Sequence, residues 1–233
     1  MTDSPFFTVS LSAVLFYPQV QLENTLSLAQ QFVVATGGIF EPNPTILPQQ
    51  PNLPPEVPFL IFKSSPEAYQ CEISRARVSF HYQDRANRRE PFDVCQSRWR
   101  GSLDAVLQAV AEGIPGQPHR LGFVVKLLAE VEEDGAAFLS RKFMGGGWDG
   151  SEELQAHALH KVTLGGRLIN RWVRLRSVRV ANAAFPNRHL LAELDLNTLQ
   201  EQAAPIRGQA VSDFYLEASR HIEREVLGKL LAL

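Results

Sequence analysis

Residues 167–179 read RLINRWVRLRSVR, and this stretch is the clearest β-strand signal in the chain. Apolar and β-branched residues alternate there with five arginines, and no acidic residue interrupts them. Residues 155–164 precede this stretch, with only Gly165 and Gly166 between the two segments. Because glycine accepts the positive φ angles of a two-residue turn, the two segments are predicted to form a β-hairpin. We call residues 167–179 the arginine strand.

Six further segments have the alternation or the short apolar runs that predict β-strands. The first, at residues 8–16, places Val9, Leu11 and Ala13 on one side. The long apolar run at 119–131 is predicted to be a central strand. The full set of further strands is 8–16, 59–63, 69–73, 76–82, 119–131 and 190–197.

Three segments have apolar residues at helical spacing, and each is predicted to form a long helix. The first begins near Leu22 and ends before Gly37, with apolar positions Leu22, Leu26, Ala29, Phe32 and Val33. The second runs from Trp99 or Ser102 to Glu112, with apolar positions Leu103, Val106, Leu107 and Val110. The third is capped by Ser212 or Asp213, with apolar positions Phe214, Ala218, Ile222, Val226 and Leu230. Residues 132–153 are predicted to be the least regular part of the chain.

The strands follow one another in adjacent runs, so we expect a large, mostly antiparallel sheet with about three long helices packed on it. This is an α+β fold. At 233 residues and 45% hydrophobic content, the chain fits a single domain over residues 1–233. Residues 42–58 contain seven prolines and are predicted to form an irregular surface loop, or alternatively a proline-rich ligand of an SH3-type domain. No internal repeat is predicted.

The composition limits the cellular compartments and the classes of partner that suit this protein. A net charge of −2 argues against a generally basic nucleic-acid binder. Cys71 and Cys95 are the only cysteines, which favours a reducing cytoplasm over a disulfide-stabilised secreted protein. The N-terminus has no basic leader, and no stretch has the length of apolar sequence that a membrane span needs. We therefore expect a cytoplasmic protein without a membrane partner.

Several short motifs carry a resemblance that extends over nearly the whole chain. They are the strand ending in Phe16, Tyr17 and Pro18, then RARVSFHY at 75–82, Trp99 before HRLGFVVKLL at 119–128, LAELDLNT at 191–198, and the closing helix. In this layout the chain resembles a sporadically distributed, functionally uncharacterised bacterial family of roughly this length. The family has a more regular tyrosine-bearing strand where this chain has residues 123–128. The resemblance implies one α+β domain in a bacterial cytoplasm, and it assigns no activity, cofactor or catalytic residue.

The arginine strand supplies the candidate binding residues, which are Arg167, Arg171, Trp172, Arg174, Arg176 and Arg179. Neither register of the strand is purely polar, so a β-bulge is predicted near residues 172–174. If the arginines share one exposed face with Trp172, they suit a phosphate backbone and a stacked base. The alternative is cross-strand pairing with Glu193 and Asp195, worth roughly 0.2–1 kcal/mol for each pair. We favour the ion pairs.

Other residues give weaker signals for chemistry. Glu193, Asp195 and Asn197 have the oxygen ligands of a divalent cation, but three ligands on one strand beside arginines are a poor site. His157 and His160 would be adjacent on a helix and on opposite faces of a strand, and we expect no metal there.

Two further candidates have equally little support. Gly145, Gly146 and Gly147 lack the motif of a phosphate-binding loop and favour a mobile loop. Cys71 is predicted to be a buried core residue rather than a nucleophile, and catalysis by Cys95 has as little support.

The sequence therefore favours a non-enzymatic binding or interaction protein, with no cofactor, no metal and no catalytic residue assigned. Its partner would be a protein or a nucleic acid engaged by the arginine strand. One alternative is a nucleic-acid-binding or phosphodiester-processing protein that uses the arginine strand, with Glu193 and Asp195 as its carboxylates. A third reading is a homo-oligomeric structural subunit joined through the closing helix.

Overall fold

The computed structural model describes residues 6–20, 24–48, 52–66, 68–148, 150–181 and 183–228. These residues form an α+β fold in which nine strands make one all-antiparallel sheet that carries four α-helices, as predicted for the fold class. The strands are β1 (Phe6–Phe16), β2 (Thr45–Ile46), β3 (Pro58–Lys63), β4 (Tyr69–Ser74), β5 (Arg77–Gln83), β6 (Arg120–Glu130), β7 (Gln155–Leu164), β8 (Arg167–Val178) and β9 (His189–Thr198). The helices are α1 (Thr25–Ala35), α2 (Phe92–Gly113), α3 (Gly135–Phe143) and α4 (Gln209–His221).

The order of strands across the sheet is β2-β3-β4-β5-β1-β6-β9-β8-β7. It contains a repeat that the sequence did not predict. The first half has the order β1-α1-β3-β4-β5-α2 and the second half has the order β6-α3-β7-β8-β9-α4, with β2 as an addition to the first. In each half the last strand returns to pair with the first, and β1 pairs with β6 between the halves. The halves therefore share this topology, of which the sequence indicates only that each contains several strands and a long helix.

All four helices lie on one face of the sheet, and the other face is open. Rings on the covered face contact α1, α2 and α4 in a nearly continuous series. The ring centroids are 4.5 Å apart for Phe32 and Phe62, 5.9 Å for Phe80 and Trp99, and 5.3 Å for Trp99 and Phe123. Helix α3 lies on the same face, where Gly135 packs closely against the backbone of His189 at the start of β9 and against Ser177 of β8. The core therefore lies between the sheet and the helices, and the open face is left for other contacts.

Most predicted elements are confirmed, with corrections at particular residues. A register shift between Thr8 and Ser10 in β1 displaces Val9 from the side of Leu11 and Ala13, so that prediction was wrong for Val9. Leu26 is 59% exposed rather than part of the core. Helix α2 begins at Phe92, earlier than predicted. The predicted position Leu22 lies outside the described residues.

The segment predicted to be least regular contains α3, so that prediction was wrong. The Asp134 carboxylate caps this helix by accepting a hydrogen bond from the Ala136 amide at 2.9 Å. Leu139 is fully buried, and Arg141 and Lys142 in the last turn complement the helix dipole. A helix of nine residues has too few turns to produce a clear apolar period in the sequence.

The closing helix has the predicted buried face but a different start. Phe214, Ala218, Ile222 and Val226 are buried, whereas Leu230 lies outside the described residues. The helix starts at Gln209 after Gly208, whose φ is 49°, so Ser212 and Asp213 lie inside α4 rather than capping it. A π-helical stretch, Ile222–Leu227, follows it. The apolar side chains of Phe214, Ala218, Ile222 and Val226 pack within the protein.

In the proline-rich segment, the two-residue strand β2 is the one regular element within the described residues 42–48 and 52–58, apart from Pro58, where β3 starts. Residues 49–51 lie outside the described part. Among the described helices, none combines the length and apolar character that crossing a membrane requires.

Candidate binding face of the sheet

The arginine strand forms β8, and its pairing is regular on both sides. Residues 167–176 pair with β7, and residues 169–178 pair with β9, without a shift in register. The β-bulge predicted near residues 172–174 is therefore wrong. A regular strand sends alternate side chains to opposite faces, and this divides the arginines between the two faces.

The structure does not bring the six candidate residues together. Trp172, Arg174 and Arg176 lie on the open face, in register with the polar residues of β9. Arg167 and Arg171 lie in the register of the covered face, which includes the buried Ile169 and Leu175. Arg179 is exposed beyond the end of β8, beside a pocket of about 560 Å³ that Asp134, Glu152 and Glu153 also line.

Arg171 connects β8 to the closing helix. Its Nη1 atom lies 3.0 Å from Nε2 of His221. Burial lowers the pKa of Arg171, although the charge of Glu225 acts in the opposite direction. The position of this guanidinium is that of a packing and helix-anchoring group, and it is not available on the open face.

On the open face, Arg174 is held by two carboxylates of the adjacent strand. Its Nη1 atom lies 2.5 Å from a carboxylate oxygen of Glu193 and 3.6 Å from one of Asp195. Lys126 on β6 approaches the second oxygen of Glu193 at 3.3 Å, and Asn197 donates a hydrogen bond to Asp195. The predicted cross-strand ion pairs are thus confirmed for Arg174.

The two carboxylates differ in protonation behaviour. Burial alone would raise the pKa of Glu193, but the hydrogen bond from Arg174 and the charge of Lys126 outweigh it and hold the pKa below its ordinary value. Burial raises the pKa of Asp195, against the hydrogen bond from Asn197 and the charge of Arg174. Within the described residues, no group of three or more potential metal-ligating side chains is present.

Trp172 is less accessible to a ligand than the sequence suggests. The guanidinium carbon of Arg174 lies 5.1 Å from the centre of its ring system. This cation–π contact covers one face of the indole, and the side chain is half-buried. The same arginine therefore fills two roles, pairing with Glu193 and covering Trp172.

A groove of about 470 Å³ crosses the middle of the open face. Its polar lining comes from five strands and one loop and consists of Ser10, Ser12, Gln70, His81, Gln83, Arg85, Lys126 and Arg176. Val9, Ala68, Tyr82 and Leu191 complete the lining. Among the described residues, the lining thus contains three basic side chains and a histidine, and no acidic side chain. Sequence reasoning identified only Arg176, because the other residues come from strands that are far apart in the chain.

His81 and Ser12 form a cross-strand pair in this groove. The Nδ1 atom of His81 lies 2.8 Å from the hydroxyl oxygen of Ser12. Burial lowers the pKa of His81 below 6.5, while the charge of Glu72 opposes the shift and that of Arg77 adds to it. The imidazole is therefore uncharged at neutral pH and serves as a hydrogen-bonding group.

The structure also shows where the histidine, cysteine and glycine candidates lie. His157 and His160 lie on opposite faces of the strand β7. Cys71 and Cys95 are free and buried, and burial raises the pKa of both thiols. Gly145 and Gly146 have positive φ values of 65° and 77° in the turn that follows α3.

The chain matches no protein-family model, and no curated protein shows significant similarity to it. The resemblance described for the sequence therefore stays a prediction. What the structure defines is an antiparallel α+β protein with one helix-covered face and one open polar face.

Proposed function

We propose that the protein is a non-enzymatic binding protein whose open sheet face holds a phosphodiester backbone. The observation that carries the proposal is the groove across β8, β9, β6, β1, β5 and β4, whose lining has three basic and, among the described residues, no acidic side chains. Phosphate oxygens accept hydrogen bonds from guanidinium, ammonium, hydroxyl and amide groups, and all four are present.

The basic groups are not equally available. Arg176 is exposed, and no ion pair is recorded for it among the described residues. Lys126 shares its charge with Glu193, so it contributes a weaker attraction to a bound phosphate. Arg85 stands at the other end of the groove, and the polar side chains of Ser10, Gln83 and their neighbours lie between the ends. The strongest attraction is therefore expected at Arg176.

The dimensions suit a short single strand. Six adjacent strands, from β8 to β4, contribute to the lining of the groove, and a spacing of about 4.8 Å between strands gives a length of roughly 24 Å. Because Arg174 covers one face of Trp172, the contacts would be mainly to phosphate and sugar rather than by stacking on this ring. Binding of this kind tolerates many base sequences and depends strongly on salt.

The cellular compartment is part of the same proposal. Two free, buried cysteines fit a reducing compartment, and the resemblance noted for the sequence implies a bacterial cytoplasm. No observation favours a phosphodiester-cleaving reaction, because Glu193 and Asp195 are engaged by Arg174 and Asn197.

The test is a titration of a fluorescently labelled oligothymidine at two salt concentrations. Arg176→Ala is expected to weaken binding and to reduce the slope of log K against log salt by roughly 0.7, the value for one phosphate contact on a single strand. Lys126→Ala should also weaken binding and reduce the slope, but by a smaller amount. Arg220→Ala removes the same charge from the helix layer and is the matched control, because Arg220 is exposed on α4.

The control should bind like the unmodified protein. Equal weakening by Arg220→Ala and Arg176→Ala would show that only net charge matters and would contradict a site on the open face. Absence of binding at low salt would contradict the proposal as a whole.

A further inference from the structure

Strand β7 is ten residues long and lies at one edge of the sheet, with no described strand on its outer side. Its backbone makes ladder hydrogen bonds to β8 alone among the described strands. Of the features that protect an edge, residues 155–164 carry only the charge of Lys161, since they contain no proline and pair with β8 without a register shift. Proteins normally protect such edges, because unpaired backbone groups accept another strand.

The opposite edge of the sheet is protected in the usual manner. There β2 is only two residues long, and prolines at 42, 44, 48, 54, 55 and 58 interrupt the adjoining chain. Proline lacks a backbone donor and cannot continue a ladder of hydrogen bonds. The contrast shows that the fold closes one edge and leaves the other competent for pairing.

The turn at Gly165 and Gly166 determines which backbone groups point outward. In a two-residue hairpin the flanking residues, Leu164 and Arg167, form a hydrogen-bonded pair. Hydrogen-bonded and non-hydrogen-bonded pairs alternate along an antiparallel ladder. The outward amides and carbonyls therefore belong to residues 155, 157, 159, 161 and 163, and the side chains of these residues lie on the open face.

The side chains along this edge indicate the chemistry of the occupant. Residues 155–164 include two histidines and a lysine and no acidic residue. His157, Leu159 and Lys161 are exposed on the open face, and Leu159 is 46% exposed. On the other side of β8, Arg174 pairs with the acidic residues Glu193 and Asp195 of β9, which is the kind of pairing that an acidic strand could repeat beside β7. A second copy of β7 would bring basic residues against basic residues, whereas an acidic strand would complement them.

We propose that the edge of β7 binds an extended acidic peptide of a partner protein, which joins the sheet as a tenth strand. Main-chain hydrogen bonds to residues 157, 159 and 161 supply the affinity, as in other cases of strand addition. Specificity comes from alternate side chains of the peptide. Acidic residues face His157 and Lys161, and an apolar residue between them packs on Leu159. This site does not involve the residues of the groove.

The test uses two synthetic peptides and the full chain. In one peptide, alternate positions are glutamate, valine and glutamate with threonine between them; in the other, lysine replaces glutamate. Fluorescence anisotropy should show that the glutamate peptide binds at least about fivefold more tightly, because its cross-strand pair with Lys161 is attractive and that of the lysine peptide is repulsive. Lys161→Glu should abolish or reverse this preference.

Leu159→Pro tests the backbone contribution. Proline removes an outward amide that the fold itself does not use, so thermal unfolding should change little while peptide affinity falls by at least roughly tenfold. If this variant fails to fold, the reversal of preference by Lys161→Glu decides alone.

Three results would overturn the proposal. They are failure of the glutamate peptide to bind, equal binding of both peptides, and unchanged binding by a folded Leu159→Pro variant. A concentration-dependent dimer that Leu159→Pro abolishes would also overturn it, because the edge would then serve a second copy of the chain.

Discussion

The two halves of the sheet have the same order of elements but differ in how they use them. The first half, from β1 to α2, concentrates aromatic side chains on its covered face, where Phe80 contacts Phe40, Tyr69 and Trp99. The second half, from β6 to α4, has fewer rings in its core and places a charged network on its open face around Arg174. One topology thus supports dense packing in one half and exposed polar chemistry in the other.

The two outer edges of the sheet also differ between the halves. The first half ends in the short strand β2 and the proline-rich chain beside it, and the second half ends in the long strand β7. Packing of rings stabilises a fold without needing a particular partner, whereas a free edge and unneutralised cations on a surface are useful only in contact with another molecule. The comparison indicates that the densest aromatic packing lies in the first half, whereas the exposed cation Arg176 and the free edge of β7 lie in the second.

The largest expected effect is on the aromatic core of the first half. Phe80→Ala should lower the free energy of unfolding by about 3–5 kcal/mol, because it removes a fully buried ring and leaves a cavity between its aromatic neighbours. A urea melt measures the change, with Val34→Ala, at an 80% exposed position in the same half, as the control. A loss below roughly 1 kcal/mol would contradict the view that the aromatic packing of this half stabilises the fold.

The ion pair of the second half should contribute less. A double-mutant cycle with Arg174→Ala and Glu193→Ala is expected to give a coupling energy of about 0.5–1 kcal/mol, because both side chains are partly solvated. The coupling should fall when salt is raised. A coupling near zero would show that the pair positions the arginine over Trp172 without stabilising the fold. A coupling energy as large as the loss expected for Phe80→Ala would contradict the view that the ion pair of the second half contributes less to stability than the aromatic core of the first.

The smallest expected effect is a pH dependence from the open face of the first half. The folded pKa of His81 lies below the ordinary 6.5, so the unfolded chain binds more protons just below that pH. Stability should therefore fall as the pH decreases from about 6.5 towards the folded pKa of His81. His81→Asn, which keeps a polar atom near Ser12, should remove this part of the slope. An unchanged slope in acid melts of the variant would assign the dependence to other groups.

Sequence patterns were sufficient for the elements whose signals are local. The glycine pair at 165–166 fixed the hairpin of β7 and β8, and the spacing of Leu103, Val106 and Val110 fixed the buried side of α2. The pairing of β9 with β8 was weighed as one alternative because Glu193 and Asp195 alternate with leucines. These predictions depend on residues that are neighbours in the chain or on one strand.

The candidate site was less predictable. The bulge predicted near residues 172–174 followed from the lack of a purely polar register, but the strand is regular and Arg171 contacts His221. A strand with apolar and basic residues in both registers does not indicate which register is covered. Similarly, α3 was missed because its nine residues contain too few apolar positions, and its cap by Asp134 is a local contact that many loops share.

The sequence by itself determined the fold class, the hairpin of the arginine strand and the buried side of the closing helix, because periodicity and turn residues act over a few neighbouring positions. Only the tertiary structure decided which arginines face the helices, because that depends on the side on which distant segments pack. The tertiary structure also formed the groove, since its lining residues come together through the pairing of six strands drawn from residues 9 to 191. The free edge of β7 has the same origin. A strand becomes an edge only when the order of the whole sheet leaves it without a neighbour.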